Sequence, residues 1–415
     1  MLQSKLFSKT TKNLPEGEET KNAQLLIKGG FINKSSAGVY SLLPLGLRVL
    51  DKINHIIREE MNAIGGEELL MPTLVQRRYW EQSKRWDTDV VYKTGASKKQ
   101  GELEYGLGWT HEEVIAAIAV NFLQSYKDLP KAVYQIQTKF RAEARAQGGL
   151  LRGREFLMKD LYSFHTDTED LNRYYNQVIG AYKKIFKRLG LRALATEAGG
   201  GAFTKEYTHE FQVLNPAGED SIYYCQKCDF SQNQEIYDVN RHKGCDGKVV
   251  SGRAIEVGNV FKLGTRFSEA FNLSYADSSG KKHLIVMGSY GIGPTRVMGT
   301  IVEEYNDSAG IIWPEAVAPC RIHLMSLGDS PKTKKESDRL YKLLSGRFGS
   351  DEVLYDERAA APGEKLKDAD LLGMPWRLVI SEKTVAVKKI EIKNRASSQS
   401  KLLSEKQVIA VLDGK

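Results

Sequence analysis

The chain has 415 residues, 41% hydrophobic and 27% charged, the balance of a folded protein and not of a disordered one, and its length predicts two or three domains instead of one core. Sixty Lys and Arg against fifty-two Asp and Glu leave a formal charge of +8; that suits a polyanionic partner, because neutralising phosphates releases counterions, although many basic proteins touch no nucleic acid. No run of about eighteen apolar residues occurs, so no membrane-spanning helix is expected, and the polar stretch Met1 to Asn22, with Glu16, Glu18 and Glu19, reads as neither signal nor transit peptide, which makes the cytoplasm the expected location.

From Thr20 a short helix is expected to end at Gly29-Gly30, where glycine supplies a left-handed cap. A longer helix follows Pro44, with Val49, Ile53, Ile56, Ile57 and Ile64 on one face, and stops at Gly65-Gly66. Residues 68–72 read as a strand. The next helix is expected to open near Thr110, an N-cap with Glu113 three residues on, and to run through Val114, Ile115, Ile118 and Phe122. Val133 to Phe140 alternates as a strand, and Phe156 to His165 reads as its partner. Residues 215–253 form a turn-rich insert carrying cysteines, after which strand-like sequence resumes at 254–258 and 284–287. Pro314 and Pro319 bracket a boundary. Beyond it strands and helices alternate, the pattern of a compact α/β domain.

Two elements carry the strongest chemistry. Phe140-Arg-Ala-Glu143, a Gly- and Arg-rich loop, and Leu151-Arg-Gly-Arg-Glu-Phe156 describe a strand, a basic loop and a returning strand. Its arginines suit bidentate contact with phosphates and Phe156 offers a flat face to a base; a solvated hairpin with surface arginines is the competing reading of either half alone. Met287-Gly-Ser-Tyr-Gly-Ile-Gly-Pro-Thr-Arg296 places glycines after an apolar strand and an arginine at the start of a helix. Its spacing is neither the dinucleotide fingerprint nor a Walker loop. His111-Glu112 lacks the second histidine of a zinc-protease motif.

Together the two elements resemble motifs 2 and 3 of the class II aminoacyl-tRNA synthetases. The resemblance narrows to the bacterial-type prolyl-tRNA synthetases through Gly38-Val-Tyr-Ser-Leu-Leu-Pro-Leu-Gly46, Thr110-His-Glu-Glu113, Tyr134-Gln-Ile-Gln-Thr-Lys-Phe-Arg141 and Arg154-Glu-Phe-Leu-Met-Lys-Asp-Leu-Tyr-Ser-Phe-His165. His209-Glu-Phe-Gln-Val213, Ile255-Glu-Val-Gly258 and Leu263-Gly-Thr-Arg-Phe-Ser268 follow in the expected order. This implies an α+β fold: a class II antiparallel sheet flanked by helices over residues 1–317, then a C-terminal α/β anticodon-binding domain over 318–415. A homodimer is implied too, with the helix and strand around Pro72 at the interface.

The resemblance also implies roles. Arg141, Glu143 and Arg296 would be the catalytic groups, with Arg141 on the α-phosphate and the amino-acid carboxylate. Phe156 and Arg296 would sandwich adenine, Arg152 would assist from the loop, and Glu256 would contact ATP or hold Mg²⁺. Asn259 stands where the bacterial form usually has histidine. L-Proline would be held by Thr110, Glu112, Arg141 and His165, with Ser289 lining the pocket. Arg358 and Lys365 are candidates for anticodon contact, with solvated surface charge the alternative for each. Threonyl or seryl synthetases, or a non-catalytic tRNA-binding paralogue, are the rival readings; the proline-type segments argue against the first, and retention of Arg141, Glu143, Glu256 and Arg296 against the second.

Of the four cysteines, three cluster with a histidine as Cys225-x-x-Cys228 and His242-x-x-Cys245. That donor set suits one tetrahedral structural Zn²⁺, and a reduced thiol cluster or the relic of a lost site competes with it. The insert that carries them stands where common bacterial relatives have an editing domain and is too short to hold one. Since an apolar pocket sized for proline rejects alanine only weakly, the expectation is mischarging with alanine and dependence on a separate deacylase for alanyl-tRNA(Pro).

Overall fold

The computed structural model describes residues 1–14, 16–95, 103–201 and 207–414. They form two compact units, and neither is one stretch of sequence: Ser36–Val39 with Ile53–Thr300, and Met1–Ser35 with Tyr40–Lys52 and Ile301–Lys415. The expected C-terminal domain, 318–415, lies whole within the second of these units, which also takes in the chain's start. The Met1 ammonium donates to the Val353 carbonyl at 2.7 Å, and Leu2 bridges Tyr355 in parallel.

The first unit is built on a nine-stranded sheet. Its order is Thr208–Leu214, Ala193–Ala198, Ser231–Asn233, Asp220–Cys225, Val249–Gly264, Val286–Ile292, Glu155–His165, Lys131–Phe140 and Glu67–Glu68. Neighbouring strands among the four from Val249–Gly264 to Lys131–Phe140 run antiparallel, and the parallel pairings are Ser231–Asn233 with Ala193–Ala198 and Glu67–Glu68 with Lys131–Phe140. The stretch 68–72, expected as a strand, contributes just its first residue.

Side chains alternate across a strand, so the register assigns them to faces. Lys159, Leu161, Ser163 and His165 face the Thr168–Arg188 helix, where Lys159 donates to the Tyr182 hydroxyl and His165 meets Asp170. That helix starts at an Asp167 cap, whose carboxylate accepts from Asp170 N at 2.8 Å, carries Glu169 and Asp170 in its first turn and ends on Lys187 and Arg188, charges that oppose its dipole at both ends. Phe156, Met158, Asp160, Tyr162 and Phe164 point the other way. The Glu112–Phe122 helix covers Tyr162 and Phe164 in a core with Val114, Ile115 and Met287. Phe156 and Met158 line an open cleft instead. The helix begins at Glu112, with His111 at its cap and no side-chain capping bond. The expected Thr110 cap does not form, since the Thr110 hydroxyl donates to the Glu112 carboxylate.

The second unit carries a five-stranded sheet in the order Val353–Asp356, Ile322–Leu327, Trp376–Ser381, Ile390–Asn394, Ser400–Leu403. The first three strands are parallel and the last two antiparallel. Its core joins Ile322, Leu324 and Leu378 to Leu340 and Leu344 of the Pro331–Phe348 helix. This is the expected α/β pattern. The Lys21–Lys28 helix belongs to the same unit, and its exit uses Gly30 at φ +67°, where a Cβ would come within 2.9 Å of the Lys9 carbonyl.

Candidate active site

Three strands and a helix start place the charged groups of the cleft. Lys139 pairs with Phe156 at the open end of two antiparallel strands, and alternation puts Arg141 on the same face two residues on. Its backbone N donates to the Arg154 carbonyl at 2.8 Å, and its guanidinium stands 5.2 Å from the Phe156 ring centroid. Across the loop, Arg152 holds Glu143 through Nε at 3.1 Å and Nη2 at 2.7 Å, and its Nη1 reaches Glu219.

The third strand contributes through a bulge. Phe211 pairs with Gly258 and Gln212 with Glu256, leaving Val257 extra, and such an insertion re-aims the side chains beyond it. Glu256 thereby joins Asn259 on the cleft side, and Asn259 Nδ2 donates to Glu256 Oε1 at 2.9 Å. Arg296, in the first turn of the Pro294–Glu304 helix, donates through Nη1 to the Glu256 carbonyl at 2.8 Å and to Oε2 at 3.1 Å. Opposite Asn259 lies Gly291, where any Cβ would come 2.8 Å from Asn259 Oδ1.

Arg141, Glu143, Arg152, Phe156, Glu256, Asn259 and Arg296 thus line one cleft. Burial first, then the charge of Arg296, holds the Arg141 guanidinium below its usual range. Its Nε is buried with no hydrogen-bond partner among the described residues. Two cations brought together from distant parts of the chain, one of them underpaired, make a receptor for a polyanion. The ring contact of Phe156 is with Arg141.

Thr110, Glu112 and Ser289 also come together. Glu112 is buried; its Oε1 accepts from Ser289 Oγ at 3.0 Å, and its Oε2 accepts from Thr110 Oγ1 and, at 3.1 Å, from Arg85 Nη1. Ser289 and Gly291 share a face of one strand, two residues or about 7 Å apart, so this pocket adjoins the cleft.

His165 is not in that pocket, which corrects the expectation. The pairs Ser289 with Tyr162 and Val286 with His165 put His165 on the opposite face of the sheet. There its Nδ1 lies 2.6 Å from Asp170 and its Nε2 2.8 Å from Ser163 Oγ. The Asp–His–Ser order has the look of a hydrolase relay, but Ser163 is fully buried and also bonded to the Tyr290 hydroxyl at 2.9 Å, so no substrate reaches it. Burial holds His165 below the usual histidine range, against the pull of Asp170. The residue on the site face is Tyr162, whose hydroxyl donates to Asp160 Oδ2 at 2.8 Å and accepts from His111 N at 3.1 Å. Counting by twos from Phe156 along the strand finds it. Arg85 was missed as well, and nothing local marks it, since its partners are Glu112 and Glu113.

Of the two proposed anticodon residues, the structure corrects Lys365. Lys365 is buried, with Nζ donating to the Ser326 and Asp356 carbonyls at 2.8 and 3.2 Å. Arg358 forks onto Asp356 at 2.8 and 2.7 Å and reaches Asp368 at 2.8 Å. Lys365 is committed to the unit's own fold, while Arg358 is only half-buried.

In the insert, Cys225, Cys228, His242 and Cys245 bring their ligand atoms within 4.8 Å of one another. Cys225 and Cys245 sulfurs are 3.8 Å apart, and Cys228 Sγ lies 3.5 Å from His242 Nε2. The backbone N–H groups of Lys227 and Gly247 donate to Cys225 Sγ and Cys245 Sγ at 3.4 and 3.3 Å, and the first of these bonds lowers the Cys225 thiol from its usual range. The group can hold a metal ion.

The pattern of the "tRNA synthetase class II core domain (G, H, P, S and T)" matches residues 92–305, and that of the "Anticodon binding domain" matches residues 317–415. A proline–tRNA ligase of Anaplasma phagocytophilum is 37% identical over 99% of this chain and 99% of its own. The chain belongs to the prolyl-tRNA synthetase family. As in other prolyl-tRNA synthetases, L-proline and ATP give prolyl-adenylate and pyrophosphate, and prolyl then passes to the 3′-terminal adenosine of tRNA(Pro). The proline–tRNA ligase of Bacillus cytotoxicus is 33% identical over 557 aligned positions that cover 96% of this chain and 97% of the relative; the excess over 415 residues means that this relative carries insertions lacking here. The fold matches that of prolyl-tRNA synthetase from Cryptosporidium parvum complexed with L-proline and AMP, with a TM-score of 0.77 at 17% identity over 95% of this chain and 75% of that one.

Proposed function

We propose that the cleft binds ATP and the adjoining pocket binds proline, with Arg141 at the junction. The observation that carries this is the convergence of Arg141 and Arg296 on one cleft beside Glu112. Arg141 neutralises the α-phosphate and the proline carboxylate, so that the carboxylate attacks phosphorus in line without a protein nucleophile. Phe156 packs on adenine, Arg296 takes the far end of the triphosphate, and Glu143, held by Arg152, orients the nucleotide. Glu112, set by Thr110 and Ser289, accepts from the proline ammonium.

The carboxylates Glu256 and Glu143 are the hard oxygen donors that Mg²⁺ takes; beside them Asn259 adds an amide oxygen. Mg²⁺ there would neutralise the triphosphate. The three thiols and imidazole of the insert suit a structural Zn²⁺. The anticodon-binding region contacts tRNA(Pro), and the work is done in the cytoplasm by a homodimer. In support of the dimer, Leu70, two residues before Pro72, is 74% exposed, and a monomer in sedimentation would count against it.

The insert, 215–253, leaves no room for an editing domain, so clearance of alanyl-tRNA(Pro) falls to a separate deacylase. ATP–pyrophosphate exchange across the twenty amino acids, with alanyl-tRNA(Pro) hydrolysis measured alongside, tests these assignments. The expected result is proline first, alanine as the main error, no hydrolysis, and loss of proline-dependent exchange in Glu112→Gln. Normal proline KM in that variant refutes the pocket, and rapid hydrolysis refutes the deacylase.

A further inference from the structure

Behind the Thr110–Glu112–Ser289 pocket lie a second buried carboxylate and a buried guanidinium to which the roles above give no task. Arg85 and Glu113 are 4% and 0% exposed. Arg85 Nη1 donates to Glu112 Oε2 at 3.1 Å and to Glu113 Oε1 at 3.0 Å, and Ser83 Oγ donates to the same Glu113 oxygen at 2.7 Å. Between Ser83 and Arg85 the chain passes through Lys84 at φ +59°, a left-handed step that aims both neighbours at the start of the Glu112–Phe122 helix. The guanidinium lies 4.1 Å from the Trp109 ring centroid and 5.5 Å from that of Phe267, and Trp109 stacks on Trp80. Such a lining fixes its orientation and keeps water out.

Charge counting gives this arrangement a purpose. One guanidinium facing Glu112 alone would cancel it, leaving a neutral pocket with little pull on a cation. With two carboxylates to one guanidinium the buried group carries one net negative charge, the complement of a single ammonium. Burial pushes the Glu113 carboxyl above its usual range, against the pull of Arg85, so the count belongs to the alkaline side of neutral.

Resting on the reading of Glu112 as the ammonium acceptor, we infer that Arg85 and Glu113 are positioning residues for substrate binding. Arg85 locks the Glu112 carboxylate, and Glu113 absorbs the Arg85 charge, which leaves Glu112 free to bind the secondary ammonium of proline. The pair selects for a cationic amino group without touching it.

Exchange kinetics at pH 8, with KM for proline and for ATP measured separately, test the inference. Glu113→Gln makes the pocket neutral, and a proline KM about tenfold higher or more is expected with ATP KM unchanged, since a buried charge a few ångströms away attracts the ammonium through a medium that screens poorly. Glu113→Asp, which restores the charge, is expected to recover most of the loss. Proline KM within threefold of wild type in Glu113→Gln, or proline and ATP KM rising together, overturns the inference. Should Glu113→Gln not fold, Arg85→Lys carries the same test, because it keeps the charge and loses the planar guanidinium held against the Trp109 and Phe267 rings; a selective rise in proline KM supports the inference and an unchanged one overturns it. Glu112→Gln separates the two layers: if it leaves proline KM unchanged the pocket itself is misassigned, whereas an effect there without one at Glu113 or Arg85 sinks only this inference.

Discussion

Replacing Arg141 by alanine should separate activity from stability. Removing one preorganised donor from a developing anion costs about 2.7–4 kcal/mol, or roughly 10²–10³ in rate, and Arg141 is placed to serve both the phosphate and the amino-acid carboxylate. Proline-dependent ATP–pyrophosphate exchange is therefore expected to fall by about 10³ or more. Stability should hardly move. The substitution forfeits the Phe156 ring contact, a contribution of about 0.5–2 kcal/mol, but it also removes a desolvated cation repelled by Arg296. The strand bond from residue 141 N to the Arg154 carbonyl survives because it is backbone. These terms oppose one another at similar size, so thermal unfolding followed by circular dichroism is expected within about 3 °C of wild type, given about 2–4 °C per kcal/mol for units of this size. Exchange within tenfold of wild type, or a melting point lower by 10 °C, would refute the view that this guanidinium is held for a ligand and not for the fold.

Gly291→Ala places a Cβ 2.8 Å from Asn259 Oδ1 and pushes that amide off Glu256; ATP KM is expected to rise several-fold with proline KM nearly unchanged, and equal effects on both would count against the nucleotide assignment. Metal analysis after gentle purification is expected to find about one zinc per chain, and Cys228→Ser should lower both zinc content and melting temperature. Absence of zinc with normal stability would leave the insert a plain thiol cluster.

Much of the site was legible because its signals are local. The Arg141 and Arg296 segments sit in motifs with their own spacing, and a strand's period of two fixes which residues share a face. His165 lies an odd number of residues from Phe156 and so on the opposite face, whereas the same period of two puts Tyr162 on the site face. The Cys225, Cys228, His242 and Cys245 cluster and the α/β pattern after Pro319 were equally local. Arg85, Arg358 and Lys365 are of another kind. In sequence each is simply a charge, and a charge reads as surface until its partners are known.

What the amino-acid sequence determined alone was the order of motifs, the phase of each strand and the chemical types brought to the reaction, since these depend on neighbours a few residues apart. Tertiary structure decided which charges are consumed inside the protein and which face a ligand. Lys365 ends on the Ser326 carbonyl and Arg85 on Glu112 and Glu113, and Met1 closes onto Val353. Those pairings join segments far apart along the chain, and burial leaves the cation no water to turn to, so only the folded geometry can assign them.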